Sequence, residues 1–100
     1  MSYANEGYSK DNLHNYYLLT FLGSVLGEAV CTGDNLVAFN DESAENQSDY
    51  AVFVYLDYVN IVDDASILSA KKMYQIIGFC QFHNIEYKIN EWKQVEDLVK

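Results

Sequence analysis

Tyr50-Ala51-Val52-Phe53-Val54-Tyr55-Leu56-Asp57-Tyr58-Val59-Asn60-Ile61-Val62 is the stretch whose reading decides the fold. It is dense in β-branched and aromatic side chains, which suit a pleated, half-buried surface. Read as one long strand, it has two apolar faces. Tyr50, Val52, Val54, Leu56, Tyr58 and Val62 make one face, interrupted by Asn60. Ala51, Phe53, Tyr55, Val59 and Ile61 make the other, interrupted by Asp57. A strand apolar on both sides is central in its sheet, or is covered by helix.

After this strand, Asp63 or Asp64 reads as the cap of a helix. Ile67, Leu68, Met73, Ile76, Ile77, Cys80 and Phe82 would form its apolar side as far as His83. Asn84 suits the left-handed position that ends a helix. Ile85 to Ile89 alternates as a short strand, and Asn90 would cap a last helix with Trp92, Val95 and Leu98 or Val99 inward.

Before the strand, Asn40 to Asp49 is polar and acidic and reads as a solvated loop. Leu36 to Phe39 reads as a strand. Thr32-Gly33-Asp34-Asn35 is a turn signal that either closes a hairpin with Ala29-Val30-Cys31 or ends the preceding helix. That first helix is predicted from about Lys10 to Leu26, with Ser9 as cap and Asp11 in its first turn. Leu13, Tyr17, Phe21, Val25 and Ala29 recur at every fourth position, and Leu18, Leu22 and Leu26 widen the stripe. Gly23 and Gly27 suggest a close helix–sheet contact. Residues 1–8 read as a loose N-terminal arm.

The predicted order is α-β-β-α-β-α, in a single α+β domain over residues 1–100. Its three- or four-stranded, mostly antiparallel sheet is packed with helices. Half of the residues are hydrophobic and 15% are aromatic, nine of them Tyr, which is too apolar for a disordered acidic tail. The longest apolar stretch, Tyr16 to Val30, contains Gly23, Gly27 and Glu28 and falls short of the ~20 residues of a membrane span. With no secretory signal pattern at the N-terminus, the expected location is cytoplasmic, the host cytoplasm if the source is viral.

Charge is the other distinctive property. From Asp11 to Ala70 there is no Lys or Arg among sixty residues, against ten carboxylates. Arg is absent throughout, and the formal net charge is −9. Such a field attracts cationic surfaces and repels nucleic acid and anionic membrane. Direct nucleic-acid binding is therefore excluded as an expectation, since it draws its affinity from Lys and Arg.

Catalytic and cofactor chemistry finds little support. There is no glycine-rich phosphate loop, and no Arg to clamp a phosphate. His14 and His83 lack a nucleophile signature around any Ser or Cys. Cys31 and Cys80 are too far apart for a zinc motif and read as free thiols. The acidic loop does not meet the EF-hand register, so no metal is expected.

What remains is recognition. The sequence suggests a small, non-enzymatic acidic inhibitor that occludes the basic nucleic-acid-binding cleft of a partner protein. Phage anti-defence proteins (anti-CRISPR or anti-restriction) and immunity proteins against nucleases are the classes of that kind. Carboxylates spaced on loops can imitate the charge spacing of a duplex, about one per ~1.7 Å of axis. Asp34, Asp41, Glu42, Glu45, Asp49 and Asp57 would supply the field, with Tyr50 as an aromatic anchor. The alternative is a structural module assembled as a homodimer or higher homo-oligomer through the apolar first helix and the long strand.

Overall fold

The computed structural model describes residues 12–44 and 49–90. In chain order these form α1 (Tyr16–Leu26), β1 (Ala29–Thr32), β2 (Leu36–Phe39), β3 (Val52–Tyr55), β4 (Val59–Val62), α2 (Ala70–Phe82) and β5 (Tyr87–Asn90). One five-stranded sheet has the order β1-β2-β3-β4-β5. The first four strands run antiparallel to one another. β5 joins β4 in parallel, after the chain crosses over through α2. The α+β class and the mostly antiparallel sheet are as the sequence predicts, and the strand count rises to five.

One added strand is β1, which the turn at 33–35 closes into a hairpin with β2, and the other comes from the decisive stretch, which is itself a hairpin. Val52 pairs with Ile61, Phe53 with Asn60 and Val54 with Val59. The chain reverses at residues 56–58, and the Tyr55 N–H donates to the Tyr58 carbonyl at 2.9 Å. This turn contains no Gly, Pro or Asn, so the usual punctuation of a hairpin is missing. Because Tyr55 faces Tyr58 across the turn, even positions of β3 pair with odd positions of β4. Val52 and Val54 therefore share a face with Val59 and Ile61, where one continuous strand would have separated them.

All of Val52, Phe53, Val54, Val59, Asn60, Ile61 and Val62 are buried. The centre of the sheet is thus covered on both faces, as the double-sided apolar pattern implied. At the edge, β1 carries a register shift between Ala29 and Cys31. A bulge of this kind discourages pairing with a further strand.

The helix α1 starts later than the periodicity suggested. Asn15 caps it, its side-chain oxygen accepting the Leu18 N–H at 3.0 Å. Residues 12–14 lie outside the helix, and the Leu13 N–H donates to the Leu56 carbonyl at 2.8 Å. The cap read at Ser9 falls outside the described residues. Leu18, Leu22 and Leu26 form the fully buried line of α1, and Ala29 begins β1. Each such leucine contributes roughly 1.5–3 kcal/mol relative to exposure. The helices meet where the Phe21 and Phe79 rings stack at 4.0 Å.

Helix α2 also starts later, at Ser69, whose hydroxyl accepts the Lys72 N–H, whereas Asp63 and Asp64 precede a separate turn. Only Ile76 and Cys80 are fully buried on α2, and Phe82, read as inward, is 84% exposed. The end of α2 is as expected. Asn84 has φ 58°, with the Asn84 N–H donating to the Gln81 carbonyl and the Ile85 N–H to the Cys80 carbonyl. This pair of bonds satisfies the last carbonyls of the helix in a Schellman motif. The arm at residues 1–8 and the last helix predicted after Asn90 lie outside the described residues.

Candidate functional site

Because β1 to β4 run up and down, their connections alternate between the two ends of the sheet. The turns at 33–35 and 56–58 share one end, together with the start of β5 and residues 83–86. The 40–51 connection, the start of β1, the exit of β4 and the N-terminus of α2 share the other. A four-residue strand spans about 13 Å, so these ends are separate surfaces.

The predicted contact residues divide between them. Asp34 and Asp57 are both exposed at the turn end. Asp41, Glu42, Asp49 and Tyr50 are at the loop end, and Glu45 falls outside the described residues. The loop end also gathers Glu28, Asp63 and Asp64, none of which the sequence placed there. The register Ala29–Phe39, Phe39–Val52 and Val52–Ile61 brings residues 28, 40, 51 and 62–63 side by side. Recognising the hairpin within 50–62 would have found the last two.

These carboxylates do different things. Asp41 is buried, with no exposed surface. One of its oxygens accepts from the Lys72 ammonium at 2.8 Å, the Ser43 hydroxyl at 2.8 Å and the Ser43 N–H at 3.0 Å. The other accepts the Ser69 N–H at 3.2 Å, at the positive end of the α2 dipole. Burial alone would raise its pKa. The lysine, the Ser43 hydroxyl and the two N–H groups outweigh burial and hold the carboxyl below its ordinary 3.8. Asp41 is therefore a structural fastening between the β2–β3 connection and α2. It is unavailable to a partner, which corrects its assignment as a contact residue.

Asp64 is half-buried and accepts from the Ser66 N–H and hydroxyl, shaping the turn at 65–67. Glu28, Glu42 and Asp63 are exposed, and Asp49 is half-buried. Glu42 crosses the Gly27 backbone, where φ is 123° and a Cβ would run into the Glu42 side chain. The Glu42 N–H also donates to the Leu26 carbonyl at 3.1 Å. Its backbone is thereby tied to the end of α1. Tyr50 is half-buried, its ring edge-on to Phe53 at 5.6 Å.

The turn end has a different character. Tyr55 and Tyr58 stack at 4.7 Å, and the Lys88 ammonium lies 4.4 Å above the Tyr58 ring. Burial, with Tyr58 beside it, pushes the Tyr55 phenol above its ordinary pKa. The half-buried His14 ring donates from Nε2 to the Val54 carbonyl at 2.7 Å, fixing the segment before α1 to β3. His83 caps α2 and packs against Phe79 and Phe82. Both histidines thus have structural settings.

Between the last turn of α1 and the first of α2 lie two adjoining open depressions of about 380 and 770 Å³. Ser24, Val25, Ser43 and Lys72 border both. Of the two lysines there, Lys72 is engaged by Asp41, and Lys71, which lines the larger depression, is exposed. Among the described residues, no group of three or more His, Cys, Asp or Glu side chains could hold a metal ion. Burial pushes the Cys80 thiol up to about 12, which removes it as a nucleophile near neutrality. No helix among the described residues is long and apolar enough to cross a membrane. Comparison with protein-family models, with curated proteins and with solved structures finds no match to the chain.

Proposed function

We propose that this protein is a non-enzymatic binding protein whose acidic loop end occupies the basic, nucleic-acid-binding cleft of a partner protein and so inhibits it. One observation carries this reading. The exposed carboxylates Glu28, Glu42 and Asp63, with half-buried Asp49 and Asp64, collect at one end of the sheet, where Lys72 is consumed internally by Asp41. Carboxylates grouped on a fixed scaffold focus the field and steer a cationic surface toward it. The scaffold here is fixed by backbone: Glu42 is bonded to the end of α1, and the Asp63 N–H donates to the Asn90 carbonyl at 2.9 Å. Anti-defence inhibitors and nuclease immunity proteins are the functional classes that use such a surface. The turn end, with Asp34 and Asp57, is a second and separate part of the field.

The test compares capture from host lysate by the wild-type chain, by Glu28→Gln/Glu42→Gln/Asp63→Asn, and by the turn-end control Asp34→Asn/Asp57→Asn. The captured protein is identified and assayed for nucleic-acid binding with and without inhibitor. The expected result is a nucleic-acid-binding protein, released by raised salt, held at least about tenfold more weakly by the triple variant and inhibited by the wild type. Capture that is indifferent to salt and to the triple substitution would refute the reading.

A further inference from the structure

The outward face of α2 is unlike the rest of the surface. Ala70, Lys71, Tyr74, Gln75, Gly78, Gln81 and Phe82 are all exposed. At about 100° per residue they occupy one arc of about 140°. Gly78 lies at the middle of this arc, and a Cβ there would meet nothing within 4 Å. Tyr74 and Phe82 flank it one turn to either side, 67% and 84% exposed. Two large aromatic rings around a notch leave apolar area that the other described residues do not cover.

We propose that a second copy of this chain covers this face, two α2 helices packing antiparallel across a two-fold axis at Gly78. In such an isologous contact each position before Gly78 meets the equally distant position after it in the other copy. Tyr74 of each copy then meets Phe82 of the other, and the glycines allow the backbones to approach closely at the crossing. Lys71, seven positions before Gly78, comes to the carboxyl end of the other helix, where the dipole is negative and Glu86 is exposed.

Charge selects a second copy by this route. The chain carries −9, so copies repel wherever carboxylates oppose each other. Helix α2 contains two lysines and no carboxylate over its thirteen residues. Antiparallel packing also turns the two acidic loop ends away from each other, because α2 begins at that end of each copy. The contact is small. A thirteen-residue helix is about 20 Å long, and a strip about 15–20 Å wide buries roughly 300–400 Å² per copy. The total over both copies, roughly 600–800 Å², is below the ~1,200 Å² of a stable complex, so the dimer is weak and concentration-dependent.

Sedimentation equilibrium at near-physiological salt reads the mass of the full chain as concentration rises into the ~100 µM range. The expected mass climbs from 11.5 kDa toward twice that value. Phe82→Glu weakens dimerisation at least about tenfold, and so does Tyr74→Glu, with far-UV circular dichroism unchanged because both positions are exposed. Lys71→Glu also weakens it, and adding Glu86→Lys to that variant restores it. In a Cys31→Ser chain, Gly78→Cys forms a disulfide-linked dimer on mild oxidation, while Thr20→Cys on the exposed side of α1 does not. A chain that stays monomeric throughout, its α2 face open or covered by its own residues 91–100, overturns the proposal. So does a dimer that neither aromatic substitution weakens.

Discussion

Replacing Asp41 by Asn tests the one buried charge described in the fold. The carboxylate accepts four hydrogen bonds, from Lys72, twice from Ser43, and from Ser69. Removing one member of a buried ion pair typically costs about 3–5 kcal/mol. Two features reduce that here. The Lys72 side chain is 24% exposed and can turn its ammonium to water. Asparagine also keeps one oxygen that can still accept from Ser43, although its NH2 group opposes either Lys72 or the Ser69 N–H. The expected loss is therefore about 2–3 kcal/mol, the value of one or two charge-assisted bonds. For a domain this size that lowers the melting temperature by roughly 10–20 °C. The loss occurs although the substitution lowers the net negative charge, which by itself would relieve repulsion.

Urea denaturation of wild type, Asp41→Asn, Lys72→Met and the double variant measures the effect, and the cycle should give a coupling of at least about 1 kcal/mol. A pH series separates charge from shape. The folded-state pKa of Asp41 is lowered from 3.8, so its contribution is fully present above the unfolded value. It is lost as pH falls through the folded value, where wild type and Asp41→Asn converge. A loss under about 1 kcal/mol, or a gap unchanged between neutrality and about pH 3, refutes the assignment of Asp41 as a charged fastening.

Gly27→Ala should cost about 1–3 kcal/mol in thermal or urea denaturation, since φ there is 123°, and Glu42→Ala should not rescue it because the backbone strain remains. Asn84→Gly should leave stability unchanged or raise it by up to about 1 kcal/mol, whereas Asn84→Val at the same left-handed position should lose about 1–2 kcal/mol. In a Cys31→Ser chain, Cys80 should react with a thiol reagent at mildly alkaline pH only as fast as the fold opens, because its thiol is pushed up to about 12. Rapid stoichiometric labelling of the native protein would contradict that burial.

The sequence revealed what depends on local chemistry, and less of what depends on where the chain reverses. Asn84 was legible because a short amide side chain tolerates a left-handed turn that most residues resist. The α+β class was legible because the β-branched run at 50–62 and the fourfold spacing of Leu18, Leu22 and Leu26 have different periods. The hairpin was hidden because Leu56-Asp57-Tyr58 turns without Gly or Pro, held by a single backbone bond across it. That omission also disguised the candidate site, separating Asp63 and Asp64 from Asp49 by a strand length that the fold removes. Asp41 was misread for another reason. An acidic loop residue looks solvated until its partner, thirty-one positions away at Lys72, is known to be near.

The fold also bears on whether the acidity serves solubility or recognition. A solvating charge has no reason to avoid any part of the surface. Here the charges are sorted. The cation-free run ends at Lys71 and Lys72, and the fold sends these neighbours in opposite directions, Lys72 inward to Asp41 and Lys71 outward on α2. Internalising Lys72 removes one counter-charge from the loop end and leaves Lys71, in the first turn of α2, as an exposed cation beside it. Keeping carboxylates off α2 leaves a face where like molecules can meet without repulsion. On the two proposals above, one sorting of charge would serve both an end that attracts a cationic partner and a flank where copies can meet. If acidity served solubility alone, neutralising Glu28, Glu42 and Asp63 and neutralising Asp34 and Asp57 would have equivalent effects on binding per charge removed. Unequal effects, in favour of the loop end, are what a working surface requires.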